Sequence, residues 1–246
     1  MRSPKNNVPG PAPVASAPRR RWLIGCGALL GVGAAVTAAA LVAGGVWYKT
    51  AIVDDHSPEL ERSAILSVIS EESPVYFRDG KTRVGVFFTD EHRQYVPWEA
   101  LPPAYVASLV AAEDGRFWEH AGVDPWGIAR AMWVNLQAGS VVAGGSTLTQ
   151  QTAKNIFYRT DRSLRSKLAE LQNALRLEHR HSKEQIFEFY VNQFHVSGNG
   201  RGIGIAARHF FDKAPSELTL AESAFLAGLV KAPSYYDPFV GDEARR

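Results

Sequence analysis

Leu164-Arg165-Ser166-Lys167-Leu168-Ala169-Glu170-Leu171-Gln172-Asn173-Ala174-Leu175 is the stretch whose reading sets the fold class. Its leucines at 164, 168, 171 and 175 recur at helical intervals, one stripe of an amphipathic helix. In that register Lys167 and Glu170 flank the stripe on one side. Small Ala174 lies on that side too, which leaves room for a cleft, while Arg165 and Ser166 point elsewhere. The helical reading extends through nearly everything from Ala104 onward. Asp124-Pro125 looks like an N-cap followed by proline at the first helical position. Ser182 with Gln185, and Thr219 with Glu222, resemble capping boxes. Upstream, Leu60, Ala64, Ile65, Val68 and Ile69 keep helical spacing, and Pro97 to Pro103 form a boundary. Val75-Tyr76-Phe77 and Val84 to Phe88 flank Asp79-Gly80, which predicts a β-hairpin. The expected fold is a mainly helical globular domain with a small hairpin element at its entrance.

The chain has 246 residues, a net charge of +2 and 46% hydrophobic content, enough for one sizeable domain plus an anchor. That balance is too neutral to indicate nucleic acid. A single cysteine, Cys26, excludes an intramolecular disulfide. Residues 1–21 are rich in Pro, Ala, Ser and Asn and read as a flexible tail ending in Arg19-Arg20-Arg21. From Trp22 to Trp47 no residue is charged, a run longer than the roughly 20 residues that span a bilayer as a helix. Trp22, Trp47 and Tyr48 stand at its ends, where amphipathic rings favour the interface. The arginines place the N-terminal side in the cytoplasm and all that follows Tyr48 outside. A cleaved signal peptide is the alternative, with Ala38 to Ala40 as small residues for cleavage. Cys26 stands at the start of the apolar run and reads as a membrane-buried thiol, not a lipidation site.

Three polar blocks carry the candidate chemistry. In the first, Glu113 and Asp114 close an apolar helical stretch beside Phe117 and Trp118. A carboxylate against aromatic surface can be pushed up in pKa, which suits a general base; a solvated acidic turn is the plainer reading. In the second, Gly144-Gly145-Ser146 leads into Thr147-Leu148-Thr149-Gln150-Gln151, a glycine turn before a helix capped by Ser146. First-turn amides of such a helix can bind an anion, and the glutamines suit sugar hydroxyls. In the third, Lys154, Arg159, Arg162, Arg165 and Lys167 face only Asp161 and Glu170 nearby. A pyrophosphate leaving group needs such cations because it departs with charge rather than with a proton. Paired carboxylates also suit glycoside hydrolysis, but cations around Glu170 would keep it ionised and unfit to protonate a leaving oxygen. Gly202, Gly204 and Ala207 match a dinucleotide-binding spacing, but a helical pattern precedes them, so Gly198 to Gly204 reads as a tight loop. His179 and His181 read as surface residues rather than metal ligands.

Taken together, Glu113-Asp-x-x-Phe117-x-x-His120-x-Gly122-x-Asp124, Gly145-Ser-Thr-x-x-Gln-Gln-x-x-Lys154-Asn155, Lys167-x-x-Glu170 and Ser182-Lys183-x-x-Ile186-x-Glu188-x-Tyr190-x-Asn192 resemble the peptidoglycan glycosyltransferases of glycosyltransferase family 51. The resemblance covers roughly residues 97–238. It implies a lysozyme-like helical fold and polymerisation of lipid II, with Glu113 as general base and Glu170 as the second catalytic glutamate. It implies that Lys154, Arg162 and Lys167 stabilise the pyrophosphate. Ser146, Thr147, Gln150, Gln151 and Asn155 would order the cleft, and Asp114, Phe117 and His120 would line the substrate site. It admits a divalent cation, Mg or Mn, at Glu170, and no organic cofactor. Implied partners are lipid II, the growing glycan chain, the membrane and cell-wall synthesis proteins. The implied place is the cytoplasmic (inner) membrane, single-pass, with the catalytic domain on its periplasmic face. The expected organisation is a disordered cytoplasmic tail over 1–21, a transmembrane helix over 22–48, a linker with a small helix and hairpin over 49–96, and the glycosyltransferase domain over 97–246.

Some positions depart from the family pattern. Ser166 stands where an arginine is usual, and Arg165, about 100° away on a helix, is no simple substitute. Phe194-His195-Val196-Ser197 differs from the usual run, and the sequence after Tyr236-Asp237-Pro238 is short, as expected of a truncated domain. No Ser-x-x-Lys occurs, so no transpeptidase signature is present. The leading expectation is a monofunctional, membrane-anchored peptidoglycan glycosyltransferase; its competitors are the front fragment of a bifunctional penicillin-binding protein, a lysozyme-like glycan-cleaving enzyme, and a non-enzymatic scaffold. The apolar residues Trp126, Ile128, Met132, Trp133 and Leu136 predict a segment that dips into the outer leaflet.

Overall fold

The computed structural model describes residues 19–69, 73–81, 83–87, 92–157, 163–196 and 200–239. The chain divides into two units, residues 1–49 and 50–246. The first contains helix α1, Arg19–Tyr48, with no charged residue after its opening arginines. Val32–Val53 is long and apolar enough to cross a membrane.

The second unit is built mainly from helices. A 3-10 turn, Pro58–Leu60, leads into α2, Arg62–Ile69, and Leu60, Ile65 and Ile69 are buried as their spacing predicts. The hairpin follows: β1, Ser73–Tyr76, pairs antiparallel with β2, Arg83–Phe87. Its turn closes where the Gly80 amide donates to the Phe77 carbonyl at 2.9 Å, with Gly80 at φ 64°. The next strand is β3, His92–Arg93. After it come α3, Pro103–Glu113, α4, Pro125–Ala138, α5, Leu148–Ile156, α6, Leu164–Arg180, and α7, Lys183–Val191. Short strands β4, His195–Val196, and β5, Gly200–Arg201, lead to α8, Gly202–Phe211, α9, Leu220–Lys231, and α10, Pro233–Tyr236. A second small sheet has the order β3-β5-β4, with β5 parallel to β3 and antiparallel to β4.

One hydrophobic core joins these elements. It holds Leu60, Ile65, Ile69 and Val96 together with Tyr105, Leu109, Phe117, Leu148, Leu177, Phe187, Phe189, Ile203 and Leu226. Residues from the segment expected as a linker therefore share the core of the helical domain. Helix α3 packs on α9, and α5 packs on both α6 and α7. Buried Glu188 on α7 ties the entrance down: it accepts from Arg62 at 2.9 Å, from the Tyr95 hydroxyl at 2.5 Å and from the Trp98 amide at 2.8 Å. Asn192 adds a reciprocal pair, accepting from the Val96 amide at 2.8 Å and donating to its carbonyl at 2.9 Å.

Three expectations are corrected here. The leucine stripe of α6 does not face the core throughout: Leu164 and Leu168 are exposed, and the buried face is Glu170, Ala174 and Leu177. Burial follows the direction from which α5 packs, which the leucine spacing alone does not contain. The glycines at 200–204 do not form a loop: Gly200 lies in β5, and Gly202 and Gly204 open α8. A Cβ at Gly204 would stand 2.4 Å from the Gln94 carbonyl oxygen, so this glycine serves close backbone approach, not a dinucleotide. His181 is half-buried and bonds the Leu60 carbonyl at 2.8 Å, so of the two histidines only His179 is a surface residue.

Candidate active site

The site begins at the end of α3. Glu113 is its last helical residue, and Asp114 follows as C-cap with φ −154° and ψ 75°. The turn runs to Gly122, whose φ of 87° suits glycine, and a Cβ there would meet Glu178 Cγ at 3.0 Å and the Ala174 carbonyl oxygen at 3.1 Å. The turn can therefore lie directly on α6. Asp124 then caps α4, accepting from the Trp126 amide and from Arg116, each at 3.0 Å.

After α4, Asn135 shapes the return loop. Its Oδ1 accepts from the Val142 and Ala143 amides at 2.8 Å each, and its amide nitrogen donates to the Ala143 carbonyl at 2.9 Å. The loop delivers Ser146 and Thr147 to the start of α5. The cap of α5 is Thr147, not Ser146 as expected. Thr147 accepts from the Gln150 amide, and Gln150 Oε1 accepts from the Thr147 amide at 3.1 Å, a complete capping box. The first-turn amide of Leu148 donates to Asp114 Oδ2 at 2.9 Å. The anion at this helix start is thus the protein's own carboxylate. That corrects the expectation of an open anion site there.

These contacts join the motifs. Gln151 Nε2 donates to Glu113 Oε2 at 3.3 Å, and Thr147 donates to the Gly122 carbonyl at 2.7 Å. Lys167 donates to Ser146 at 3.2 Å and forms an ion pair with buried Glu170. Thr149 donates to Glu178 at 2.5 Å, and Glu178 also pairs with Lys183 at 2.7 Å. Tyr190 donates to Gln151 Oε1 at 3.2 Å. The four sequence blocks meet around α5.

A cavity of about 350 Å³ opens beside Glu113. Asp114, Arg116, Asp124, Trp126, Arg130, Ser146 and Thr147 are among its walls. One oxygen of Glu113, Oε1, is buried without a hydrogen-bond partner. Arg130, on α4, was not singled out from the sequence. Six residues after the Asp124 cap, it stands about 120° round the helix from it, so spacing gives no signal. Asn135 was also missed, because a loop-gripping asparagine has no local pattern.

Two residues expected to line the substrate site take supporting places instead. Phe117 is fully buried, stacked edge-on against Trp118 with centroids 4.9 Å apart, and Lys183 lies 4.5 Å over its ring. His120 is buried with both nitrogens engaged. Nδ1 accepts from the Gly122 amide at 3.2 Å, so the hydrogen sits on Nε2 and points to Asp114 Oδ2 at 3.0 Å. Burial alone would push the Asp114 carboxyl up. The hydrogen bonds from His120 and from the Leu148 amide, with the charge of Lys183, instead hold it below the usual carboxylate range. Gln150 is buried in its capping box and orders the helix start. Lys154 is exposed and Asn155 half-buried, one turn beyond Gln151 on the same side of α5. Arg162, with Arg159 and Asp161, lies outside the described residues. Ser166 accepts from the Ser163 hydroxyl at 3.2 Å, and its own amide donates back to that oxygen. It thus belongs to the cap of α6. Glu170 faces an ammonium, and among the described residues no group of three His, Cys, Asp or Glu is placed to hold a metal.

Comparison with known proteins agrees with the motif reading. Residues 80–246 match the family described as Transglycosylase. Penicillin-binding protein 1A of Neisseria flavescens is 42% identical over 169 residues, covering 69% of this chain and 21% of the relative. Penicillin-binding protein 1A of Aquifex aeolicus is 41% identical over 173 residues, covering 70% and 24%. Penicillin-binding protein 1B of Vibrio cholerae is 45% identical over 152 residues, covering 60% and 20%. The chain thus spans about a fifth to a quarter of the length of these relatives. With its mainly helical fold and four converging motifs, the chain belongs to the transglycosylase family, as its resemblance to the peptidoglycan glycosyltransferases implied.

Proposed function

We propose that this domain polymerises lipid II into β-1,4-linked glycan and releases undecaprenyl pyrophosphate, with Glu113 as general base. The 4-hydroxyl of the acceptor sugar gives its proton to the Glu113 carboxylate. Its oxygen attacks the anomeric carbon of the growing chain from the face opposite the pyrophosphate. The new C–O bond forms as the bond to the pyrophosphate oxygen breaks, and the leaving group keeps the electron pair. Configuration at the anomeric carbon inverts.

The observation that carries this reading is that the start of α5 touches both an acidic and a cationic group. Gln151 of α5 touches Glu113, while Ser146, just before α5, touches Lys167. A base and a cation so arranged suit an attacking hydroxyl at one end and a departing pyrophosphate at the other. Lys154 and Arg162 are the further cations assigned to the pyrophosphate. Glu170 orients Lys167 through their ion pair. The same pair disfavours glycan hydrolysis, because a carboxylate engaged by an ammonium is not offered to a leaving oxygen.

The substrate is a lipid, so the domain works at a membrane. Helix α1 serves as the anchor of the cytoplasmic membrane, with the arginine-bearing end in the cytoplasm and the domain outside. Trp126, Met132, Trp133 and Leu136 on α4, and Val141 after it, are exposed, with Val141 at 89%. An apolar surface of this extent beside the cavity suits insertion into the outer leaflet. The decisive assay is glycan formation from labelled lipid II by the purified full chain in detergent. Glu113→Gln should abolish polymer. Equal polymer from both proteins overturns the general-base role. Trp133→Asp should lower activity on lipid substrate, and unchanged activity and detergent requirement would remove the membrane-insertion reading.

A further inference from the structure

We propose that Tyr190 is a positioning residue for the general base: its buried hydroxyl fixes which end of the Gln151 side-chain amide faces Glu113. The inference rests on Glu113 acting as base. Gln151 stands between the two groups, with Nε2 3.3 Å from Glu113 Oε2 and Oε1 accepting from the Tyr190 hydroxyl at 3.2 Å. A primary amide turned by 180° exchanges donor and acceptor ends with almost no change of shape, so packing alone does not choose between them.

Chemistry at the two ends does choose. An ionised carboxylate only accepts, so the turned amide would set a carbonyl oxygen against a carboxylate oxygen. Tyr190 closes the other end. It is only 3% exposed. Burial first, and the negative charge of Glu113 second, hold its hydroxyl far above the usual phenol range. It therefore keeps its proton at any working pH and needs an acceptor, which Gln151 Oε1 supplies. Turning the amide would remove that acceptor. The chain has one sense: Tyr190 donates to Gln151, and Gln151 donates to Glu113.

This matters because the support of Glu113 is one-sided. Among the described residues Gln151 is the hydrogen-bond donor to this carboxylate, on Oε2, while Oε1 is buried without a partner. Other groups surround it without forming such a chain. Tyr105 lies on its own helix, fully buried with its hydroxyl also unpartnered. Asp114, Arg116, Asp124 and Arg130 share the cavity wall. From α9, Lys231 caps the Ala112 carbonyl at 2.5 Å. Without the aimed N–H, neither oxygen of Glu113 keeps a hydrogen bond among the described residues.

The test uses the full chain in detergent with labelled lipid II across a pH series. Tyr190→Phe keeps the ring and removes the hydroxyl. It should lower kcat about tenfold near neutral pH, leave KM within about twofold, and move the acidic limb of the kcat profile up by about half a pH unit or more. Gln151→Ala should move the limb in the same direction. In that background Tyr190→Phe should add less than about twofold, since the two act through one chain. An acidic limb left in place by Gln151→Ala overturns the proposal however Tyr190→Phe folds. So do independent, multiplying effects of the two substitutions. Glu113→Gln separates the layers: if it polymerises normally, the general-base reading falls. If it is inactive while Tyr190→Phe behaves as wild type, only the positioning role falls.

Discussion

Asp114→Ala should destabilise the helical domain far more than its place on a turn would indicate. The carboxylate is buried, and a single oxygen, Oδ2, accepts from His120 Nε2 at 3.0 Å and from the Leu148 amide at 2.9 Å. Hydrogen bonds to a charged group contribute about 1.5–3 kcal/mol each, and both donors would be left buried and unsatisfied. The expected loss is therefore about 3–5 kcal/mol. For a domain of this size a kcal/mol corresponds to about 2–4 °C, so the thermal midpoint should fall by about 8–15 °C. Asp114→Asn can offer one oxygen to both donors and loses only the charge, so its loss should be about 1–2 kcal/mol. The pH dependence has a definite sign. The folded carboxyl titrates below its ordinary value of 3.8, so its contribution is present above that pH and is lost as pH falls through the lowered folded value. Midpoints followed by circular dichroism at neutral pH, and again below pH 3.8, measure both effects. The gap between wild type and Asp114→Asn should narrow in acid. If Asp114→Ala melts within about 3 °C of wild type at neutral pH, the Leu148 amide is not held as described and the reasoning fails.

Lys167→Ala removes both the link to Ser146 and an ion-pair partner of buried Glu170, so turnover of lipid II should fall about 100-fold or more, measured in the glycan assay. Lys167→Arg, which keeps the charge, should retain more activity. Gly204→Ala would place a methyl 2.4 Å from the Gln94 carbonyl oxygen, and a loss of about 1–3 kcal/mol should appear as a lower urea midpoint without any change in slope. Glu222, held by Lys213 and then by the Thr219 amide, should titrate near its lowered value of about 2 in a carboxyl NMR titration, and Lys213→Ala should raise it.

Much of the scaffold was legible because its determinants are local. Asp124 before Pro125, Ser182 with Gln185 and Thr219 with Glu222 all cap the helices expected of them, since a cap needs only residues within one turn. The Asp79-Gly80 hairpin closes for the same reason. The sheet of β3, β5 and β4 was not legible, because its two-residue strands carry no periodicity and β3 pairs with β5 across about a hundred residues. At the site, the motif spacing predicted Glu113, Gln151, Lys167 and Glu170, and the structure joins them in two pairs. The spacing did not separate Glu113, which lines the cavity, from buried Phe117 and His120, and so grouped them together.

The sequence by itself determined the helical class, the apolar N-terminal helix, the caps and the family, because these depend on residue type and spacing along the chain. Only the tertiary structure decided that Asp114 fills the amide site at the start of α5 and that Tyr190 reaches Gln151. The physical reason is that hydrogen-bond partners are chosen by which buried groups the packing brings within about 3 Å. Here α3, α6 and α7 converge on α5 from distant positions in the chain, and no local pattern states which donor will meet which acceptor.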